Sequence, residues 1–172
     1  MIIIVMGVSG AGKSTIGKLL AKSLDWHFFD ADSFHPQANI KKMRNGIPLN
    51  DADRIPWLEK ILNAIDQCLG ENKNVVLACS ALKQTYRDYL VRNTKDFKIV
   101  YLEGSFDLLA QRLTTRKNHF MKPEMLQSQF DILEEPKQAI IVDAAKSPEE
   151  IVNLICKTYK DITALGSKSN PR

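Results

Sequence analysis

The chain has 172 residues, enough for one domain with a sizeable core and too few for a second catalytic domain. Its 24 basic and 20 acidic residues give a net charge of +4, an excess too small and dispersed to indicate nucleic-acid binding but suited to an anionic substrate. No apolar stretch approaches the length of a bilayer span, and three cysteines without metal-ligand spacing predict a cytoplasmic protein.

Strand and helix signals alternate from one end of the chain to the other. An apolar strand over residues 2–6 precedes a helix over about 13–24, and a second short strand follows at 27–30. A polar stretch over 31–56 carries a short helix between Pro36 and Gly46. Further helices are predicted over about 57–69, through 86–90, over 108–113 and 124–133, and from Pro148, with strands at 75–79, 98–102 and 139–143.

Five strands separated by helices predict an α/β fold in three layers, with a five-stranded parallel sheet and helices on both faces. We expect one domain over residues 1–162, with a helical lid at about 112–128 and a flexible tail over 163–172. Parallel strands place their carboxyl ends at one edge of the sheet, and the active site is expected there.

The segment after the first strand matches the phosphate-binding loop G-x-x-x-x-G-K-S/T. Glycines let the backbone turn tightly and present N–H groups to phosphate oxygens, and the following helix adds its positive end. In this pattern Lys13 reaches the β- and γ-phosphates and the Ser14 hydroxyl binds Mg²⁺. A surface turn with an incidental lysine does not account for the strand-to-helix context. The nucleotide-binding residues are therefore predicted to be Gly7, Ser9, Gly10, Ala11, Gly12, Lys13, Ser14 and Thr15.

Two aspartates follow the second strand, beside the predicted phosphate loop. In an extended Asp30-Ala31-Asp32 segment both carboxylates lie on one side of the chain. One can accept the proton of an acceptor hydroxyl, and the other can hold Mg²⁺ directly or through water. The alternative is an Asx turn that ends the strand. We assign the pair to a functional site.

Basic residues cluster before the helix at 124–133. Arg112 and Arg116 lie four residues apart on a predicted helix, so both face the same way. An anionic ligand explains this repulsive pairing, and we predict that both arginines contact phosphates from the lid.

Several blocks of sequence resemble the gluconate kinase family, a relative of the shikimate kinases. The resemblance covers about residues 1–136 and rests on the phosphate loop, on Asp30–Pro36, on Gly46–Leu58 with its Asp53-Arg54-Ile55-Pro56-Trp57-Leu58 run, on Ser80–Asp88, on His119-Phe120-Met121, on Ser128-Gln129-Phe130 and on Leu133–Pro136. The blocks at 30–36 and 46–58 distinguish this family from the shikimate kinases.

The resemblance implies transfer of phosphate from ATP to the 6-hydroxyl of D-gluconate, with Mg²⁺ as cofactor. It implies that Asp32 is the base, that Asp30 lies nearer the metal and that Arg116 contacts the transferring phosphate. Arg54 and Arg87 become substrate-side cations, and His35 and Lys83 pair with hydroxyls, although His35 can equally cap the helix that begins near Pro36. The resemblance also implies a possible homodimer.

The third strand ends in Cys79-Ser80 rather than an acid, which places more weight on Asp30 or on water for Mg²⁺.

Two alternatives remain open at this point. One is a sibling kinase that acts on shikimate or another sugar acid. The other is a regulatory module that hydrolyses ATP slowly without an acceptor, and it predicts no stimulation by sugar acids.

Overall fold

Five parallel strands form one sheet, which confirms the predicted α/β fold class. A computed structural model describes the backbone of residues 1–115 and 125–168 and the side chains of 1–115 and 125–160. The strands are β1 (Ile2–Met6), β2 (His27–Asp30), β3 (Val75–Ala78), β4 (Phe97–Glu103) and β5 (Ile140–Asp143), in the spatial order β2-β3-β1-β4-β5. The chain therefore reverses its direction of winding at β1, the central strand, and a crevice for ligands forms at such a point.

Seven helices are described, and they cover both faces of the sheet. They are α1 (Lys13–Leu24), α2 (Gln37–Arg44), α3 (Asp51–Gly70), α4 (Gln84–Val91), α5 (Phe106–Thr115), α6 (Leu126–Ile132) and α7 (Pro148–Lys168). Alternate side chains of β1 enter two separate cores. Ile3 packs with α1 and α7, whereas Ile4 packs with α3 and α4. Both isoleucines are fully buried, and each such burial stabilises the fold by roughly 1.5–3 kcal/mol.

The helix α3 begins six residues before the expected start at residue 57. Asn50 accepts from the backbone N–H of Asp53, and the Asp53 carboxylate accepts from the backbone N–H of Asn50, which forms a capping box. Pro56 lies inside the helix and removes one backbone hydrogen bond. The capping box satisfies two backbone N–H donors at the helix start, and the helix continues through the proline.

Two further segments differ from the sequence-based prediction. Ala31–Phe34 form a 3₁₀ helix, so the chain after β2 is not extended. The last helix continues to Lys168, six residues into the segment 163–172 that was expected to be a tail. In the part of the chain that the structure describes, no helix is both long and apolar enough to cross a bilayer.

Candidate active site

The phosphate loop joins β1 to α1 in the predicted strand-to-helix context. Gly10 and Gly12 have φ values of 86° and 96°, a conformation that side-chain-bearing residues rarely adopt. A Cβ on Gly7 would lie 2.8 Å from the carbonyl oxygen of Leu102. Because Gly12 caps α1 without a side chain, the first N–H groups of that helix are presented to the crevice. The loop therefore has the geometry of an anion-binding site.

Lys13 and Ser14 follow the loop and point to different partners. The Lys13 ammonium donates to the carbonyl oxygen of Val8 at 3.1 Å, which folds its side chain back over the loop. The Ser14 hydroxyl donates to Oδ2 of Asp30 at 2.5 Å. The first turn of α1 and the carboxyl end of β2 thus bring an oxygen of Ser14 and an oxygen of Asp30 side by side, as the sequence suggested for a Mg²⁺ site.

The two aspartates are not aligned on an extended strand, because Asp32 lies within the 3₁₀ helix that begins directly after Asp30. Asp30 caps this helix, and its Oδ1 accepts from the backbone N–H of Asp32 at 3.1 Å. The Asx turn that the sequence left as an alternative is therefore present. It also turns Asp32 toward a cavity, while Asp30 stays beside Ser14. The expected alignment was wrong, and the turn itself gives the two carboxylates different surroundings.

A cavity of about 300 Å³ opens between the phosphate loop, α2, α3 and α6, and it is called the acceptor cavity below. Its polar lining includes Lys13, Asp32, His35, Asp51, Arg54 and Lys83. Three of these are cations and two are carboxylates, so the cavity suits a small, hydroxyl-rich anion. Five of the six were predicted site residues, and Asp51 was not.

Arg54 and Lys83 are held at the cavity by a shared group of residues. Arg54 donates to the carbonyl oxygen of Leu49 at 2.7 Å and to the Tyr86 hydroxyl at 3.2 Å. Lys83 donates to both carboxylate oxygens of Asp51, at 3.0 and 3.2 Å. Hydrogen bonds from Tyr86 and Lys83 hold the pKa of Asp51 below its ordinary value. These hydrogen bonds orient both cations, and the bond to Asp51 raises the pKa of Lys83. The sequence analysis assigned no role to Asp51 or Tyr86.

His35 stacks on the indole of Trp57, with ring centroids 4.4 Å apart and 10° between the planes. Burial and the nearby Arg54 charge lower the pKa of His35 to about 4, so its imidazole is neutral at pH 7. No side chain caps α2, so capping is not the role of His35. The Trp57 indole donates to the carbonyl oxygen of Ala31 at 2.7 Å and is buried, in agreement with its prediction as a core residue.

Arg87 does not line the acceptor cavity, and its role as a substrate-side cation stays a prediction. Its residue is only 1% exposed, and burial lowers the pKa of its guanidinium. The guanidinium donates to the carbonyl oxygens of Ala81 and Leu82 at 2.8 and 3.1 Å, and to the Gln84 side chain at 2.8 Å. Arg87 therefore supports the turn that precedes α4.

A second cavity of about 290 Å³ lies on the other side of the phosphate loop and is called the nucleotide cavity below. Gly10, Ala11, Gly12 and Thr15 line it, together with Arg112. Arg112 donates to the carbonyl oxygen of Ala144 at 2.8 Å, which fixes its side chain at this edge. Arg116 and most of the predicted lid lie outside the described residues.

Gln129 also contacts the phosphate loop. It belongs to the Ser128-Gln129-Phe130 block of the family resemblance, which assigned it no role. Its Oε1 accepts from the backbone N–H of Ser9 at 2.7 Å, and its Nε2 donates to the Ser9 hydroxyl at 3.1 Å. A single buried glutamine in a polar block gives no signal of such a long-range contact in sequence.

Comparison with known proteins places this arrangement among small-molecule kinases. A family model described as shikimate kinase matches residues 9–160. The probable gluconokinase of Mus musculus is 46% identical, over 92% of this chain and 97% of its own. The thermoresistant gluconokinase of Escherichia coli (strain K12) is 42% identical, over 88% of this chain and 89% of its own.

Comparison with solved structures gives the same family. The gluconokinase from Sinorhizobium meliloti 1021 superposes with a TM-score of 0.82 at 40% identity, covering 98% of this chain and 97% of that one. The shikimate kinase from Aquifex aeolicus vf5 has a TM-score of 0.59 at 23% identity, which is a likeness of fold alone.

Proposed function

Because this chain belongs to the gluconokinase family, we propose that it transfers the γ-phosphoryl group of ATP to the 6-hydroxyl of D-gluconate. The single observation that carries the proposal is the acceptor cavity, where Asp32 and two oriented cations face Lys13 of the phosphate loop. D-Gluconate offers one carboxylate and a row of hydroxyls, which match these groups in chemistry. The products are 6-phospho-D-gluconate and ADP.

The acceptor carboxylate is assigned to Arg54 and Lys83. A guanidinium offers a planar, two-pronged partner to a carboxylate, and Arg54 is held in place by Leu49 and Tyr86. Neutral His35 supplies a hydrogen-bonding ring nitrogen for a hydroxyl without adding charge. In this orientation the carboxylate of D-gluconate lies at Arg54 and Lys83, and its 6-hydroxyl end is directed toward the phosphate loop.

Asp32 is assigned as the group that accepts the proton of the 6-hydroxyl. The hydroxyl oxygen forms a bond to the γ-phosphorus, the bond from that phosphorus to the bridging oxygen of ADP breaks, and the proton passes to the Asp32 carboxylate. Lys13 and the loop N–H groups stabilise the charge on the phosphoryl oxygens. Arg112 and Arg116 are proposed to add to this stabilisation from the nucleotide side.

The oxygen atoms of Ser14 and Asp30 fit Mg²⁺, which takes few protein ligands and keeps waters and phosphate oxygens. Among the described residues no cluster of three histidine, cysteine or acidic side chains forms a closed metal cage, in keeping with this open type of site. Bound there, Mg²⁺ would neutralise charge on the ATP phosphates. Asp30 holds the Ser14 hydroxyl in position for it.

The compartment is proposed to be the cytoplasm, because Cys68, Cys79 and Cys156 are free thiols and such thiols persist in reducing surroundings. Burial raises the pKa of Cys79 to about 12, which makes this thiol inert. A homodimer stays a prediction.

The test is release of ADP with Mg-ATP and a panel of acceptors: D-gluconate, L-idonate, shikimate and none. We expect rapid release with D-gluconate and release near background without acceptor. The Asp32→Asn variant should lower kcat by about 10²–10⁴-fold and leave the affinity for nucleotide close to that of the unchanged protein. Equal release in all four reactions would contradict the proposal and favour the ATPase module, and preference for shikimate would favour the sibling kinase.

A further inference from the structure

The amide of Gln129 joins α6 to the phosphate loop through two hydrogen bonds with one residue, Ser9. The two partners are separated by 120 residues in sequence. Gln129 and Ser9 are 8% and 9% exposed. Buried amide and backbone groups are costly to leave unpaired, so each residue restricts the other.

This contact lies where the acceptor and nucleotide cavities meet. Ser9 and Gln129 line the acceptor cavity with Lys13, and the next residue, Gly10, lines the nucleotide cavity. The backbone between Ser9 and Gly10 thus lies where the two cavities adjoin, beside the path that transfer between them requires.

The helix that carries Gln129 is itself fixed against the core. Leu126 is fully buried and Met125 is 5% exposed. The ring of Phe130 packs against Phe106 at a centroid distance of 5.6 Å, which ties α6 to α5. Gln129 is therefore held from a firm support and can restrict the loop.

We propose that Gln129 is a positioning residue for phosphoryl transfer, an inference that rests on the proposed function. Its amide holds the Ser9–Gly10 end of the loop so that the γ-phosphorus faces the acceptor hydroxyl. A misplacement of about 1 Å costs on the order of 10²-fold in rate. Gln129 acts through Ser9, so its loss lowers kcat and leaves the KM for D-gluconate unchanged.

The main test compares Gln129→Met with Gln127→Met. Methionine matches the length of glutamine and removes both hydrogen bonds to Ser9. Gln127 is on the same helix, exposed, and donates to Asp131, so it controls for the substitution. We expect Gln129→Met to lower kcat by about 10–100-fold and to change the KM for D-gluconate by less than about threefold. Gln127→Met should behave as the unchanged protein.

Gln129→Glu provides a partial rescue. Glutamate keeps an acceptor for the Ser9 N–H and adds a negative charge near the phosphates. It should retain more of the kcat than Gln129→Met while raising the KM for ATP, because only the added charge opposes nucleotide binding. If Gln129 had only a structural role, the kcat of Gln129→Glu and the kcat of Gln129→Met would fall by the same factor.

Hydrogen exchange over residues 7–15, without any ligand, tests the anchor independently of the reaction. Gln129→Met should speed exchange of the Ser9 amide by about tenfold or more, because the amide loses its acceptor. Unchanged exchange, unchanged kcat, or a rise confined to the KM for D-gluconate would each overturn the inference. Failure of the unchanged protein to phosphorylate D-gluconate would instead refute the proposed function, and the exchange result would still decide whether Gln129 anchors the loop.

Discussion

Arg54 and Arg87 show how the same side chain acquires different roles from its surroundings. Arg54 lines the acceptor cavity and is steadied by Leu49 and Tyr86, so its guanidinium is available to an anion at the cavity. Arg87 is buried, and its guanidinium is engaged by the carbonyl groups of the turn before α4. Of these two arginines, the hydrogen-bonding partners therefore leave Arg54 at the acceptor cavity and hold Arg87 against the turn.

His35 predicts a dependence of folding stability on pH. Its pKa is about 4 in the folded protein, and its ordinary value is 6.5. Between these values the unfolded chain binds a proton that the folded protein does not, so stability falls as the pH is lowered through this window. The loss is at most about 3 kcal/mol, and partial exposure of the ring makes it smaller.

Urea unfolding of the unchanged protein, of His35→Gln and of His27→Gln between pH 7 and pH 4 measures this effect. His27 is exposed on β2 and serves as the matched control. His35→Gln should show a flatter decline in the free energy of unfolding than the other two proteins. Parallel declines in all three would mean that His35 is protonated equally well in the folded state.

At the scale of elements, the turn between β3 and α4 depends on Arg87. Ala81 adopts a φ of 42°, an unfavourable value for a residue with a Cβ. The backbone N–H of Glu134 donates to the carbonyl oxygen of Leu82 at 2.8 Å, and Arg87 bonds the same carbonyl. The turn presents Ser80 and Lys83 to the acceptor cavity. A buried residue outside the cavity thus sets part of its lining.

Arg87→Met should therefore destabilise the fold and disturb the site together. It removes the Arg87 donor from the Ala81 carbonyl and one of two donors from the Leu82 carbonyl, which lowers the free energy of unfolding by about 1–3 kcal/mol. The KM for D-gluconate should rise because Lys83 is no longer held by an ordered turn. Arg92→Met is the matched control, since Arg92 is exposed at the end of α4 and stacks on Tyr89. A raised KM with unchanged stability would instead favour a direct contact between Arg87 and the substrate.

The elements differ in how well sequence predicts them. The strands and α1 follow apolar periodicity and the loop motif, and their bounds agree within one residue. The start of α3 was missed because Pro56 is a usual boundary signal, whereas the Asn50–Asp53 capping box is formed by two side chains. The 3₁₀ helix after β2 was missed because a short aspartate-rich segment is compatible with both extended and turned backbone.

At the scale of the whole molecule, the position of the site was predictable and its internal contacts were not. The phosphate loop and the residues after β2 meet at the carboxyl edge because β1, β3 and β2 are adjacent and parallel. That rule places segments, and it does not state where a side chain points. The inward turn of Arg87, the bonds of Asp51 and the reach of Gln129 depend on turns and helix positions that periodicity does not contain.

The two cavities on opposite sides of the phosphate loop predict that ATP and D-gluconate stabilise the fold separately. A ligand at about 100 times its Kd adds about 2.7 kcal/mol, which for a chain of this size raises the Tm by roughly 5–10 °C. A non-hydrolysable ATP analogue with Mg²⁺ and D-gluconate should each raise the Tm, and together they should raise it further. Arg54→Ala should remove the Tm shift from D-gluconate and keep the Tm shift from the nucleotide, because Arg54 lines the acceptor cavity and not the nucleotide cavity.

Differential scanning calorimetry of the unchanged protein, Arg54→Ala and Arg44→Ala checks this separation. Arg44 is exposed at the end of α2 and should keep both shifts. Loss of both shifts in Arg54→Ala would mean that this residue supports the whole crevice. No shift with saturating D-gluconate in the unchanged protein would mean that the acceptor cavity binds another molecule, even if the nucleotide shift is present. The two ligands therefore test the two sides of the phosphate loop independently, and only their joint effect supports a transfer between them.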